Sequence, residues 1–152
     1  MPDPLAQRIV EFLLTVGLQV RLGEVPEPSF LPGIAIEHGV LVVDEDRLLY
    51  TGDLLHEAGH MALLPRDARN AAHGDIGDDG GFELGAIAWS YAAAVHLGID
   101  PAIVFHEAGY RGGSQSMLDN FAAGRYMGVP ILQWLGLATA DTYPAMHTWL
   151  RN

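Results

Sequence analysis

Apolar and polar positions follow one another with two different periods along this chain. Residues 5–18 carry apolar side chains at helical spacing and predict an opening helix. Residues 34–37 and 40–44 are short apolar runs on either side of a His-Gly turn, and they predict a β-hairpin. Residues 19–25 alternate less regularly and predict one further strand. The first third of the chain is therefore expected to combine one helix with a small sheet.

Longer apolar segments predict that most of the remaining chain is helical. Residues 51–64 predict a helix that stops at Pro65, and residues 82–97 predict another that stops at Gly98. Between them, residues 65–81 are polar, rich in glycine and without a period, which is typical of a loop. Three shorter helices are expected towards the C-terminus, at 114–126, 128–135 and 144–150.

This order of elements predicts an α+β fold in which a small mixed or antiparallel sheet packs on helices. A chain of 152 residues is most simply one domain, 1–152, and its 49% hydrophobic content argues against disorder. No uncharged run reaches the ~18 apolar residues that a membrane span needs, and no signal-peptide pattern opens the chain. We therefore expect a cytoplasmic protein without a membrane partner.

Charge and the lack of cysteine narrow the possible chemistry. Eight basic residues, all of them Arg, stand against 19 acidic ones, for a formal net charge of −11. Such a surface repels phosphate backbones, so we expect no nucleic-acid partner. An acidic surface also attracts cationic peptides, although solubility alone explains it equally well. Without cysteine, any metal must be held by His, Asp, Glu and water.

The predicted helix at 51–64 contains the stretch HEAGH at residues 56–60. Residues i and i+4 share one face of a helix, so His56 and His60 are placed to bind one Zn²⁺ together. Glu57, one step round the helix, is positioned to reach a water on that metal. From the frequencies of His and Glu in this chain, an HExxH arises by chance in about 2 per cent of such sequences. The pattern therefore indicates a metal site rather than two helix histidines without a special role.

This motif resembles that of the zincin metallopeptidases, in which a helical HExxH supplies two zinc ligands and the general base. Leu63 and Arg66 stand where a metzincin would continue its motif, and peptide deformylases take a ligand from cysteine, so neither subgroup fits. What remains resembles a compact gluzincin, whose third ligand is a Glu on a later helix. The resemblance also implies that an edge strand ahead of the motif helix pairs with extended substrate.

Glu83 is the residue we expect as the third ligand. It is the only charged residue between Gly81 and Ile99, and a carboxylate that enters a packed interior is costly unless a cation or hydrogen bonds meet it. Its position 23 residues after His60 lies within the range that gluzincin third ligands occupy. The helix dipole alone also favours a Glu in a first turn. Other side chains therefore stay open as third ligands: His73, Asp75, Asp78, Asp79 and Glu107.

A second stretch, residues 106–110, nearly repeats the motif as His-Glu-Ala-Gly-Tyr. Tyr110 replaces the second His and the following glycines disfavour a helix, so we expect no second metal site there. A functional interpretation is that this loop brings Tyr110, His106 or Arg111 over the metal as an oxyanion donor, and Tyr110 is our first choice. The alternative is an ordinary surface loop.

Together these residues predict a zinc-dependent hydrolase, namely a metallopeptidase acting on a peptide or protein substrate. In the mechanism that the resemblance implies, Glu57 assists the attack of a zinc-bound water on a carbonyl and passes the proton to the leaving amine. One alternative is a catalytically silent zincin-like domain that serves as an interaction or regulatory module, because the short chain leaves little material for a substrate groove. Another is a structural helical protein with a chance motif.

Overall fold

A computed structural model describes residues 3–26, 29, 31–76, 80–109 and 113–152. Within these residues the chain forms a three-stranded sheet and six α-helices, with two short 3₁₀ turns at Pro101–Ile103 and Glu107–Gly109. The elements in chain order are α1 Pro4–Val16, β1 Gln19–Leu22, β2 Ile34–Glu37, β3 Val40–Val43, α2 Asp53–Ala62, α3 Arg66–Ala71, α4 Gly80–Leu97, α5 Ser114–Ala122 and α6 Val129–Trp134. The expectation of an α+β fold with a small mixed sheet is confirmed.

The sheet has the strand order β1-β3-β2. β2 and β3 form the predicted antiparallel hairpin, with Ile34 opposite Val43, whereas β1 pairs with β3 in parallel. At the two-residue turn, His38 and Gly39 both have positive φ values, 49° and 82°, which suits a tight hairpin connection. β2 is therefore an edge strand and β3 is the centre of the sheet.

Two helices, α2 and α4, make the most extensive contact between elements in the structure. α2 is buried over nearly its whole length, and α4 presents alanines to it. α1 lies against β1 and α2, and α6 lies against α4. One apolar cluster joins the inner faces of the strands to α1, α2 and α4. A buried helix of this kind holds its side chains in fixed positions, which matters because α2 carries the HExxH motif.

Two sequence predictions of local structure are wrong. Residues 66–71 form the short helix α3 inside the predicted loop, because the buried Arg69 side chain donates hydrogen bonds to the carbonyls of Leu64 (3.1 Å) and Arg151 (2.8 Å). Residues 144–150 form turns rather than a helix. There the Trp149 carbonyl accepts a hydrogen bond from the Trp89 indole at 2.8 Å, so tertiary contacts hold this segment.

Two further predicted helices, α1 and α5, begin or end at different residues from those predicted. α1 begins after Asp3, whose carboxylate accepts a hydrogen bond from the Leu5 amide at 2.9 Å, and ends at Gly17 with φ 106°. α5 ends at Ala122, four residues earlier than predicted. Among the described residues, no helix combines the length and apolar character required to cross a membrane.

Candidate metal centre

The two histidines of the motif face one carboxylate of the neighbouring helix. His56 and His60 stand one turn apart on α2, and Glu83 lies in the first turn of α4. The Nε2 atom of His56 is 3.0 Å from Oε1 of Glu83, and Nε2 of His60 is 2.7 Å from Oε2. The imidazole rings are 5.0 Å apart at an angle of 74°. Each imidazole thus meets a different oxygen of the same carboxylate.

The close approach of α2 to α4 creates this geometry. Gly59 faces Ala86, and a Cβ atom added at Gly59 would lie 2.9 Å from the Ala86 carbonyl oxygen. Residues three apart share one face of a helix, so Glu83 projects from the same side of α4 as Ala86. The sequence places glycine between the two histidines, and that glycine lets the helices come near enough for Glu83 to reach both imidazoles.

The charges of the three residues support one another. Burial by itself would raise the pKa of Glu83, but hydrogen bonds from His56 and His60 outweigh it and hold that pKa well below its usual range. Burial lowers the pKa of His60, yet its hydrogen bond with Glu83 is strong enough to raise the pKa overall. The contacts from the two imidazoles to Glu83 thus lie where a cation would bind.

The donor set fits a divalent metal. One ligand atom from each of His56, His60 and Glu83 lies within 4.8 Å of the others, and the described part of the chain contains no further group of this kind. A tetrahedral ion with bonds of about 2.0–2.1 Å separates its ligand atoms by about 3.3 Å. The present separations of 3.0 and 2.7 Å need only a small outward movement to reach that value. Two imidazoles and one carboxylate are three ligand residues, one fewer than the four that a structural zinc site usually has.

Glu57 has a different environment from the three clustered residues. Only 5% of its surface is exposed. Burial raises the pKa of Glu57; His60 and His56 lower it, and the carboxylates of Asp75 and Glu83 raise it. A buried carboxylate whose pKa is raised towards neutrality is suited to accept and return a proton.

A cavity of about 310 Å³ lies beside Glu57. Its walls are mainly apolar and come from the segment before β2 and from β2 itself, including Val25, Leu31, Ile34 and Ile36. Glu57 and Asp75 are the acidic residues that line it. Glu57, which follows His56 in the sequence, thus borders a space large enough for a small organic group.

The other residues considered as ligands lie elsewhere or outside the described residues. The His73 ring packs in a tilted arrangement against His38 of the hairpin turn, with ring centroids 4.4 Å apart. Asp75 lines the cavity, and Glu107 is exposed in a 3₁₀ turn. The structure brings none of these three into the group that could hold a metal. Tyr110, Arg111, Asp78 and Asp79 fall outside the described residues, so the prediction that Tyr110 is an oxyanion donor stays a prediction.

One contact near the site has no counterpart in the sequence interpretation. Nε2 of His106 lies 2.6 Å from Oδ1 of Asp53, and the Tyr50 ring stacks on the His106 imidazole at 4.1 Å and 12°. Asp53 precedes His56 by three residues and shares its helix face. The contact therefore ties the stretch between the two 3₁₀ turns to the start of α2. Nothing in the sequence pairs Asp53 with a residue 53 positions later.

Comparison of this chain with protein-family models, with curated proteins and with solved structures finds no match.

Proposed function

We propose that this protein is a zinc-dependent peptidase with a compact zincin-like domain of the gluzincin type. The proposal depends above all on one observation: His56, His60 and Glu83 converge on one point, and the buried Glu57 stands next to them and faces a cavity. Three of these residues have ligand atoms close enough to share a metal, and the fourth is buried and borders the cavity, which supports a role in proton transfer. A structural metal site has no need of a buried carboxylate that is not a ligand.

Zinc is the metal we expect. Imidazole nitrogen and carboxylate oxygen are both ordinary zinc ligands, and the set of two His and one Glu is one that catalytic zinc sites use. The chain has no thiolate that would favour softer metals. When bound, Zn²⁺ supplies Lewis-acid activation of a water molecule and of a substrate carbonyl.

Glu57 is the proposed general base and acid. Its carboxylate removes a proton from the attacking water while the water oxygen forms a bond to the carbonyl carbon of the substrate. The same carboxylate then gives that proton to the leaving nitrogen as the C–N bond breaks, which yields a carboxylic acid and an amine. Burial supports this role, since it raises the pKa of Glu57 and makes the carboxylate a stronger base than an exposed one.

The cavity favours a peptide substrate with an apolar side chain. Its volume of about 310 Å³ is at the small end of the range for ligand pockets, and its walls carry isoleucine, leucine and valine side chains. An amide whose carbonyl lies near Glu57 can place an apolar side chain in this space. Burial of such a side chain contributes on the order of 1.5–3 kcal/mol to binding.

The test compares the zinc-loaded parent with Glu57→Gln on a library of unstructured peptides, with cleavage followed by mass spectrometry. We expect the parent to cleave, and the variant to retain parental zinc content while its rate falls about a hundredfold or more, because an amide cannot accept the proton. Glu11→Gln, which changes an exposed carboxylate on α1, is the matched control and should cleave as the parent does.

Two results would contradict the proposal. Undiminished cleavage by Glu57→Gln would show that another group moves the proton. A parent that binds zinc stoichiometrically but cleaves nothing under zinc-replete conditions would instead support a silent metal-binding module.

A further inference from the structure

The cavity beside Glu57 carries a second carboxylate that the proposed reaction does not use. Asp75 follows α3 on an exposed stretch of chain and lines the cavity together with Glu57. It lies near enough to contribute to the raised pKa values of both Glu57 and His60. It is nevertheless not one of the three residues that could share a metal. Asp75 therefore adds negative charge to the mouth of the site from a position outside the metal cluster.

The edge of β2 that borders this cavity has few backbone amide and carbonyl groups available to pair with a substrate. The Asp44 amide donates to the Gly33 carbonyl at 2.9 Å, so in the alternating pattern of an antiparallel pair Ile34 and Ile36 direct their backbone groups outward. The Ile34 amide already donates to the Leu31 carbonyl at 3.2 Å, and the Ile36 carbonyl accepts from the Gly74 amide at 2.9 Å. Leu31 and Gly74 thus occupy the two ends of this edge. An extended substrate could form backbone hydrogen bonds with β2 over about one residue.

This arrangement differs from the open edge strand that the zincin resemblance implies. A long extended substrate would have to displace the Leu31 and Gly74 contacts. A chain end requires less space, because it occupies the cavity from one side only. The backbone geometry therefore favours a terminal residue of a peptide over an internal segment.

The charge of the cavity distinguishes between the two kinds of chain end. Its lining includes the carboxylates of Glu57 and Asp75 and no arginine among the described residues. A terminal carboxylate would meet like charges there, whereas a terminal ammonium group would meet an acidic acceptor. The apolar walls formed by Val25, Leu31 and Ile36 suit the side chain of the same residue.

We propose that this site binds the free amino terminus of a short peptide, with the Asp75 carboxylate accepting hydrogen bonds from the terminal ammonium group and the apolar cavity holding the first side chain. This inference rests on the proposed peptidase function and specifies its substrate class. The hydrolysed bond is then the first peptide bond: water adds to the carbonyl carbon of residue one, the C–N bond breaks, and Glu57 passes the proton to the leaving nitrogen. The products are a free apolar amino acid and a peptide shortened by one residue.

Equilibrium binding tests the inference without any turnover. L-leucinamide and N-acetyl-L-leucinamide are titrated into the metal-free protein, and binding is followed by NMR chemical shifts. We expect L-leucinamide to bind about tenfold more tightly or better, since the acetyl group removes the charge that Asp75 recognises. Asp75→Asn should abolish this preference, and Asp75→Glu should restore part of it. Asp67→Asn, an equal change of charge on the exposed face of α3, is the control and should keep the preference.

Hydrolysis by the zinc-loaded protein forms the second part of the test. The tripeptide Leu-Gly-Gly should be cleaved at its first bond at least about tenfold more efficiently than N-acetyl-Leu-Gly-Gly, and Asp75→Asn should lose this difference mainly through a higher KM. Equal binding of the two amides, or a preference that survives in Asp75→Asn, would overturn the inference. Preferential cleavage of blocked or internal peptides would also overturn it while leaving the peptidase proposal intact. An Asp75-dependent preference in binding without hydrolysis of any peptide would support the amine site and count against the peptidase function.

Discussion

Gly59 of α2 lies against the backbone of Ala86 in α4, and the contact leaves no space for a side chain at Gly59. A Cβ atom there would stand 2.9 Å from the Ala86 carbonyl oxygen and 3.3 Å from its Cα. Backbone atoms in the middle of a buried helix cannot move aside as a flexible side chain can. Since His56 and His60 stand on either side of Gly59 along α2, this contact sets the distance between the two motif histidines and Glu83.

We therefore predict that Gly59→Ala lowers the free energy of unfolding by about 1–3 kcal/mol, as overpacking of a core does, and also weakens zinc binding. Both quantities are measured by chemical denaturation and by competitive zinc titration. Gly85→Ala is the matched control, because its Cβ would meet the side chains of Leu63 and Ile131 rather than backbone. Both changes gain about 1 kcal/mol of helix propensity, but the control should cost less because side chains can move aside more easily than backbone. A Gly59→Ala protein as stable and as zinc-avid as the parent would contradict the argument from close packing.

Zinc content provides a direct check of the two motif histidines. We expect about one Zn²⁺ per chain in the parent and a large loss in His56→Ala or His60→Ala, because each change removes one of three protein ligands. The measurement is metal analysis after dialysis against a weak chelator. His73→Ala is the control, since its ring packs against His38 and is not part of the metal cluster. Stoichiometric zinc in the double variant of His56 and His60 would refute the assignment.

Glu83 is expected to dominate zinc affinity among the acidic residues near the site. Loss of a residue that only hydrogen-bonds to a metal ligand typically reduces metal affinity about 10- to 100-fold. Glu83→Ala should reduce the zinc affinity by more than this, because it removes a ligand. Asp75→Ala should leave the affinity near that of the parent, because Asp75 lines the cavity and is not in the metal group. Zinc affinity that follows Asp75 rather than Glu83 would show that the third ligand has been misidentified.

The metal-free cluster should stabilise the fold within a defined range of pH. The raised pKa of His60 contributes stability that is fully present below the ordinary value of 6.5 and is lost as pH rises through the raised value. The lowered pKa of Glu83 contributes stability that is present above 4.5 and is lost as pH falls through the lowered value. The destabilisation caused by Glu83→Ala in chelator should therefore be largest between these two pH values.

Urea unfolding at several pH values checks this expectation. Glu37→Ala serves as the control, because it breaks the Arg21–Glu37 pair, in which the arginine side chain is 53% exposed. Such an exposed pair contributes little, about 1 kcal/mol or less. A pH-independent effect of Glu83→Ala would mean that the carboxylate is not paired with protonated imidazole in the metal-free protein.

Glu57 should reduce the stability of the metal-free protein at neutral pH. Below pH 4.5, the ordinary pKa of this group, the carboxyl is protonated in both the folded and the unfolded chain. Its ionisation then makes no contribution to the free energy of unfolding. As pH rises further, the unfolded chain ionises first, and above the raised pKa the folded chain carries a buried anion. Glu57→Gln should therefore melt at a higher temperature than the parent near pH 7 and at the same temperature near pH 4. A Tm difference that is equal at both pH values would contradict the burial argument.

The local features of the fold could be predicted because short-range physics determines them. The spacing of apolar residues predicts α1, α2 and α4. The glycine of the His38-Gly39 turn predicts the hairpin. Both signals depend only on residues that are neighbours in the sequence. The same short-range geometry places His56 and His60 on one face of α2. The isolation of Glu83 as a charge in an apolar helix, which indicates a metal ligand, is also a local property.

Only the tertiary structure decided which distant groups meet. The parallel pairing of β1 with β3, the contact of Asp53 with His106, and the position of Asp75 at the mouth of the cavity all join residues that no local period relates. The two wrong predictions have the same origin, because each segment is held by a hydrogen bond to a remote residue. The Arg69 side chain in α3 donates to the Arg151 carbonyl, and the Trp149 carbonyl accepts from the Trp89 indole. Hydrogen bonds and burial of this kind depend on how helices pack in three dimensions, and packing can outweigh the small free-energy differences, about 1 kcal/mol per residue or less, that set local propensity.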